Sequence, residues 1–291
     1  MPEPEHRSLW NIGTRTLDPR QSRGGGGVLV MGILNCTPDS FSDGGKHFDS
    51  DAAVSAAVTM QEHGADIIDV GGESTRPYSD PVDADEECRR VLQVIQRLHG
   101  RIEIPISIDT SKAIVAKRAI DAGAEIINDV TGLEGDEEMV RIAIESGAGV
   151  CVMHMRGTPQ TMQDDPAYEN VVEEIVAYLS QRYQWCIERG ILADRICLDP
   201  GIGFGKTHEH NLELLRNVRR FASLGSPILI GHSRKGFIGK LIGDKTASRD
   251  PGTIGVTIAV AAAGASVVRV HAVRENVEAL KLFRVADSRP R

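Results

Sequence analysis

Eight polar residues stand where apolar runs of this chain stop: Asn35, Glu73, Asp109, Asn128, His154, Asp199, Ser233 and His271. Asp109, Asn128 and Asp199 are carboxylate or amide acceptors, suited to the N–H edge of a nitrogen heterocycle. The stretch DPGIGFGKT, residues 199–207, adds a glycine loop whose backbone can approach a flat ring, and Phe204, which can stack on it. Ser233-Arg234-Lys235 lies between a strand pattern and a helix pattern, where N–H groups and cations can converge on an anion. Arg269 and His271 flank Val270 on a buried run, where charge is rarely placed without a partner, and with Lys235 they form a ring of cations for phosphate. Arg76 is a weaker member of that group. Gly-Lys-Thr imitates a P-loop, but Pro200 occupies the position where that motif needs its first glycine. No serine or cysteine adjoins a histidine in a recognisable nucleophile motif, so the chemistry indicated is group transfer driven by positioning and electrostatics.

Plainer readings stand beside these. Asp109, preceding Thr110-Ser111, is a candidate helix cap. Ser233–Lys235 can be an exposed basic patch, and His154 and Met155 fit either a core or a site wall. His208 and His210 read as the start of a helix rather than as metal ligands. Capping alone is a strained explanation for eight such endings in one chain.

The elements that must position these residues follow a repeated unit of strand, loop and helix. Val28–Leu34 has too few polar residues to alternate and reads as a strand buried on both faces. A helix from Ser50, closed by Gly64, and a strand at Ile67–Val70 follow. Further helices are expected at Asp83–Arg97, Ser111–Ala122, Glu137–Ser146, Asn170–Arg189, Asn211–Phe221, Asp250–Ala263 and Arg274 to about Ala286. The strands between them are Ile104–Ile108, Glu125–Ile127, Gly149–Met153, Arg195–Leu198, Pro227–Ile230 and Val267–Val270. Eight such units fit a (β/α)8 TIM barrel, an α/β fold, with the polar endings on the face where barrel enzymes build their sites. Residues 1–27 read as an extension with a short hairpin at Trp10–Leu17 and a glycine tether, and residues 28–291 as the catalytic barrel.

Length and charge narrow the possibilities. A barrel of this class can fill a chain of 291 residues as one domain. A net charge of −8 argues against nucleic acid or an anionic membrane as partner, so an anionic ligand must meet a local cluster of donors. Met1–Arg7 lacks the pattern of a signal peptide, and no apolar run reaches the ~20 residues of a spanning helix. A cytoplasmic protein is expected. The five cysteines are scattered without a Cys-x-x-Cys pair, which indicates small buried side chains rather than disulfides or a zinc site.

The strings NCTPDSFSDGG (35–45), GGESTRP (71–77), SIDT (107–110), INDVTG (127–132), VMHMRGTPQTMQ (152–163), LDPGIGFGK (198–206), SRKGF (233–237) and RVH (269–271) resemble the dihydropteroate synthases, the folate-pathway enzymes targeted by sulfonamides. The likeness runs from about residue 10 to about residue 286, with the motifs in order. It implies condensation of 6-hydroxymethyl-7,8-dihydropterin diphosphate with p-aminobenzoate through a pterin cation, giving 7,8-dihydropteroate and pyrophosphate. By the same resemblance Asp109, Asn128, Asp199 and Lys235 hold the pterin. Asn35, Arg76, Arg269 and His271 hold the diphosphate, with Asn35 also meeting Mg²⁺. Phe41, Thr75, Pro77, Phe204 and Ser233 bound the p-aminobenzoate pocket, and Asp43, Asp109 and Lys235 are the implied catalytic residues. A homodimer is implied as well. Tyr78, where glycine is common, and Ala272, where an acid is common, depart from the pattern and bear on loop mobility and on the orientation of His271. A pterin-dependent methyltransferase would share the barrel and the pterin acceptors but needs neither SRK nor RVH. A catalytically silent pterin-binding paralogue would have lost site residues.

Overall fold

A computed structural model describes residues 9–37, 49–76, 78–244 and 246–287. A two-stranded antiparallel hairpin, β1 (Trp10–Asn11) and β2 (Thr16–Leu17), precedes eight parallel strands. These are β3 (Leu29–Asn35), β4 (Ile67–Gly71), β5 (Ile106–Asp109), β6 (Ile126–Asp129), β7 (Gly149–Met153), β8 (Ile196–Asp199), β9 (Leu229–Ile230) and β10 (Val267–Val270). Their order is β8-β7-β6-β5-β4-β3-β10-β9. A parallel bridge from Leu198 to Ile228 brings the β9 end back to β8, closing the barrel that the repeated units predict.

Helices α1 (Ser50–Glu62), α2 (Ala84–Leu98), α3 (Ala113–Asp121), α4 (Glu138–Ser146) and α5 (Val171–Glu188) separate the first six barrel strands. Next come α6 (His208–Arg216), α7 (Val218–Ala222), α8 (Gly236–Ile242), α9 (Asp250–Ala262) and α10 (Val273–Asp287). Local chemistry starts them. Asp49, Asp83 and Asn170 accept from backbone amides in the first turns of α1, α2 and α5. One expected helix, Asn211–Phe221, is in fact two. Thr207 caps an earlier start with His210 as its reciprocal partner, and the chain breaks at Asn217. The strand expected from Pro227 is paired regularly only from Leu229.

The core has two layers. Val30, Ile68, Ile108, Ile127, Val150 and Val268 face the helices. Leu29, Met31, Ile67, Ile126, Cys151, Cys197, Leu229 and Val267 fill the barrel interior, and Trp10 and Ile12 of the hairpin pack into the same cluster. Trp10 is fully buried and its indole N–H donates to the Arg195 carbonyl at 2.9 Å. The extension therefore plugs the N-terminal end of the barrel, opposite the end where the polar residues gather. All five cysteines are buried and free.

Candidate active site

Side chains alternate across a strand, so the residue two beyond each interior apolar position also points inward, one layer nearer the C-terminal mouth. Ile67 leads to Asp69, Ile126 to Asn128, Cys197 to Asp199, Val267 to Arg269, and Met31 through Ile33 to Asn35. Register adds a sixth strand, β5: Asp109 pairs with Gly71 on one side and with Asn128 on the other. A dry apolar floor thus carries a polar layer, and that layer is the site.

Asp69 is its centre and has no counterpart among the polar strand endings. It is fully buried; its Oδ2 accepts from Arg269 Nε at 2.6 Å and from Asn128 Nδ2 at 3.1 Å, while its Oδ1 has no hydrogen-bond partner among the described residues. Arg269 Nη2 also donates to Asp109 Oδ2 at 2.6 Å. The guanidinium is thus held firmly protonated between two carboxylates, and its expected anion is, in this state, the protein's own. Burial pushes the Asp109 carboxyl up, and Arg269 pulls it back down.

Asp199 is also buried, which raises its pKa to about 6, and its Oδ1 accepts the Gly201 amide at 2.7 Å. The glycine loop then turns through three left-handed glycines, Gly201, Gly203 and Gly205. A Cβ at Gly201 would sit 1.9 Å from the His154 carbonyl oxygen, and one at Gly203 would meet the Lys235 stem at 2.9 Å. Close approach at Gly203 lets the Lys235 ammonium lie 4.0 Å from the Phe204 ring centroid. Burial, with Arg269 nearby, lowers the Lys235 pKa to about 8. Lys206 does not serve a phosphate loop. It is buried and donates to the Phe204 carbonyl at 2.8 Å and the His154 carbonyl at 3.1 Å, with His154 Nδ1 at 2.9 Å. The open question at His154 is thereby answered: the imidazole is packed edge-on against Tyr178 and ties the β7 loop to the glycine loop. Met155 packs with Phe204 and Met162.

The ring of cations needs correction. Burial, with Arg234 and Arg269 close by, lowers the His271 pKa to about 4, so this histidine is neutral near pH 7. Its Nδ1 meets Ser233 Oγ at 2.9 Å, and Ser233 Oγ also accepts the His271 amide at 3.2 Å. Ser233 thus orients the ring, so the orientation does not depend on an acid at the position of Ala272. Arg234 is paired with Asp250 through two bonds of 2.7 and 2.9 Å, which leaves Lys235 as the cation of this segment that turns into the barrel.

Thr75 and Arg76 sit on the loop after β4. Glu73 anchors that loop: its Oε1 accepts the Val82 amide at 2.9 Å, and its other oxygen pairs with Lys112, which also meets the buried Glu87 at 2.6 Å. Asn35, Thr75, Arg76, Asp109, Ser233, Lys235, Arg269 and His271 all border one cavity of about 1380 Å³. Asn128, Asp199 and Phe204 are buried and are not among the residues that border it. Phe41, Asp43 and Pro77 lie outside the described residues. Sequence reasoning missed Asp69 because it read strand endings; the two-residue alternation from Ile67 was the signal that marks it.

A model of the pterin binding enzyme family matches residues 31–271. A dihydropteroate synthase of Escherichia coli K12 is 44% identical over 253 residues, covering 87% of this chain and 89% of that protein. A Xanthomonas albilineans dihydropteroate synthase solved with 4-aminobenzoic acid superposes with a TM-score of 0.88 at 38% identity, covering 98% of this chain and 100% of the other. The same organism's enzyme in complex with 7,8-dihydropteroate gives 0.85 at 36% identity, covering 97% and 100%. With an inward polar layer of Asp69, Asp109, Asn128, Asp199 and Arg269 at the barrel mouth, and likeness over nearly its whole length, this chain belongs to the dihydropteroate synthases of the pterin binding enzyme family.

Proposed function

We propose that this chain joins 6-hydroxymethyl-7,8-dihydropterin diphosphate to p-aminobenzoate, releasing pyrophosphate and forming 7,8-dihydropteroate. The observation that carries the reading is the layer of buried acceptors, Asp109, Asn128 and Asp199, of which Asp109 borders one cavity together with Lys235 and Arg269. A pterin presents adjacent ring N–H and amino donors, and buried carboxylates and an amide are the groups that pair with them. The bond from the 6-methylene carbon to the diphosphate oxygen breaks first, and its electron pair leaves with pyrophosphate. The resulting pterin cation faces fixed carboxylates; one at ~4 Å contributes about 4 kcal/mol at an effective dielectric of ~20. The aniline nitrogen of p-aminobenzoate then forms the new C–N bond and gives up a proton, which the departing pyrophosphate can take.

Arg269 is held by Asp69 and Asp109 until pterin donors compete for Asp109, and release from that oxygen turns the guanidinium toward the diphosphate. Asn35, Arg76 and His271 complete that end of the cavity, and Thr75, Ser233 and Phe204 border the p-aminobenzoate side. Among the described residues no cluster of three His, Cys, Asp or Glu side chains can hold a metal ion. Asn35 would offer one amide oxygen to a Mg²⁺ carried by the diphosphate, and the ion would neutralise phosphate charge there.

A homodimer is part of the same reading. Helix α9 is apolar nearly all round, and its outward positions Gly255, Ala259 and Ala262 are exposed beside Leu241 and Ile242 of α8 and Leu282 and Val285 of α10. A helix of that composition is normally covered, and a second copy is the cover proposed. A cytoplasmic setting is supported by the five free thiols.

Incubation with the pterin diphosphate, p-aminobenzoate and Mg²⁺ should yield dihydropteroate and pyrophosphate in equal amounts. Pyrophosphate without dihydropteroate, or neither product, sinks the assignment.

A further inference from the structure

Tyr78 is an anomaly in an otherwise ordinary loop. Its φ is +62°, in the left-handed region that strains a bulky L-residue and that glycine enters freely. Its side chain is 66% exposed, so no burial offsets the cost. What holds it is a set of bonds to a different loop. The phenol donates to Asp164 Oδ1 at 3.1 Å, the Tyr78 amide donates to the Pro159 carbonyl at 3.1 Å, and Gln160 Nε2 donates to the Ser79 carbonyl at 3.2 Å.

Both partners of this junction carry hydrogen bonds or packing of their own. On one side, Ser79 Oγ donates to the Ser74 carbonyl at 2.5 Å and the Ser79 amide to the Arg76 carbonyl at 3.2 Å, which ties Ser79 back to the residues on either side of Thr75. On the other, the Asp164 amide donates to the Thr161 carbonyl at 2.9 Å, and Met162 packs against Phe204. Gln163 Nε2 carries the connection onward, donating to the Gly203 carbonyl at 2.9 Å. Three rim segments are thus joined in series: the turn bearing Thr75 and Arg76, the segment 158–164, and the glycine loop bearing Phe204.

We propose that Tyr78 is a positioning residue that straps the Thr75–Arg76 turn to Asp164, so that the two walls of the p-aminobenzoate pocket are already aligned when that substrate arrives. The inference rests on the assignment of that pocket under the proposed function. Ordering a turn at the moment of binding costs conformational entropy, which a small substrate offsets poorly, and a strap removes that cost beforehand. The strap touches no substrate atom, so it acts on the binding of p-aminobenzoate and not on the chemical step.

The test compares Tyr78→Phe, Tyr78→Gly, Asp164→Ala and the pair Tyr78→Phe with Asp164→Ala, each assayed for KM of both substrates, kcat and melting temperature. Tyr78→Phe is expected to raise KM for p-aminobenzoate about fivefold, a typical hydrogen-bond contribution, with kcat and the KM for the pterin diphosphate within about twofold. The double variant should be no worse than either single one. Tyr78→Gly relieves the backbone strain, so its melting temperature should equal or exceed that of the parent while its KM for p-aminobenzoate still rises. If wild-type protein forms no dihydropteroate, the functional assignment fails first. If it does and Tyr78→Phe leaves KM unchanged, or the two single effects simply multiply, or KM rises only in variants whose melting temperature falls, the strap is overturned.

Discussion

Arg269 and Asp109 lie 160 residues apart in the chain and meet at 2.6 Å across the barrel mouth, with Asp69 as the second carboxylate on the same guanidinium. The arrangement holds one guanidinium between two buried carboxylates at the barrel mouth. Removing one partner of a buried pair leaves charge uncompensated, which costs more than the pair itself contributes.

Asp69→Asn keeps the shape and removes that charge. Arg269 retains Asp109, so the expected loss is about 1–3 kcal/mol of folding stability, read as a lower urea midpoint at unchanged slope. Catalysis should fall too, because a neutral amide oxygen holds Arg269 and Asn128 less firmly than the carboxylate does. A variant with the parent midpoint and full activity would mean that Asp69 is a passive core residue.

The pH response of Lys235 separates ligand binding from stability. Its folded pKa is lowered to about 8 by burial and by Arg269. In the unfolded chain the ordinary value near 10.4 applies, so between these two values the folded state carries fewer protons. Folding stability from this group therefore rises with pH across that window, and below the folded pKa the buried charge is a cost. Anion binding runs the other way, since the ammonium disappears above about pH 8. Pyrophosphate affinity measured calorimetrically from about pH 7 to about pH 9 should fall through that midpoint, and Lys235→Arg should abolish the inflection. A flat profile in the parent would show that the anion does not use this charge.

Ser233→Ala removes the hydroxyl that fixes the neutral His271 ring and accepts its backbone amide. Loss of these bonds should weaken pyrophosphate binding by about 1–2 kcal/mol while the affinity for a pterin lacking phosphate stays near that of the parent. Equal losses for both ligands would place Ser233 in the pterin subsite instead.

The barrel and its working face were legible in the sequence, because both depend on short-range periodicity. Buried parallel strands appear as unbroken apolar runs, helices as spaced ones, and a polar residue that ends a strand marks the mouth wherever the strand lies. Asp109, Asn128, Asp199 and Lys235 could be named on those grounds together with the family likeness. Pairing between distant residues is a different matter. That Arg269 rests on Asp69 and Asp109, that Ser233 holds His271, and that Asp164 receives Tyr78 are consequences of eight strands closing into one ring, and no spacing along the chain encodes them. Charge states were hidden for the same reason. His271 was expected to be a cation, yet its proton is lost to burial and to arginines brought near only by the closed barrel. The alternation of side chains assigned each residue to a face, whereas desolvation and neighbouring charge, which decide how that residue behaves, exist only once the faces meet.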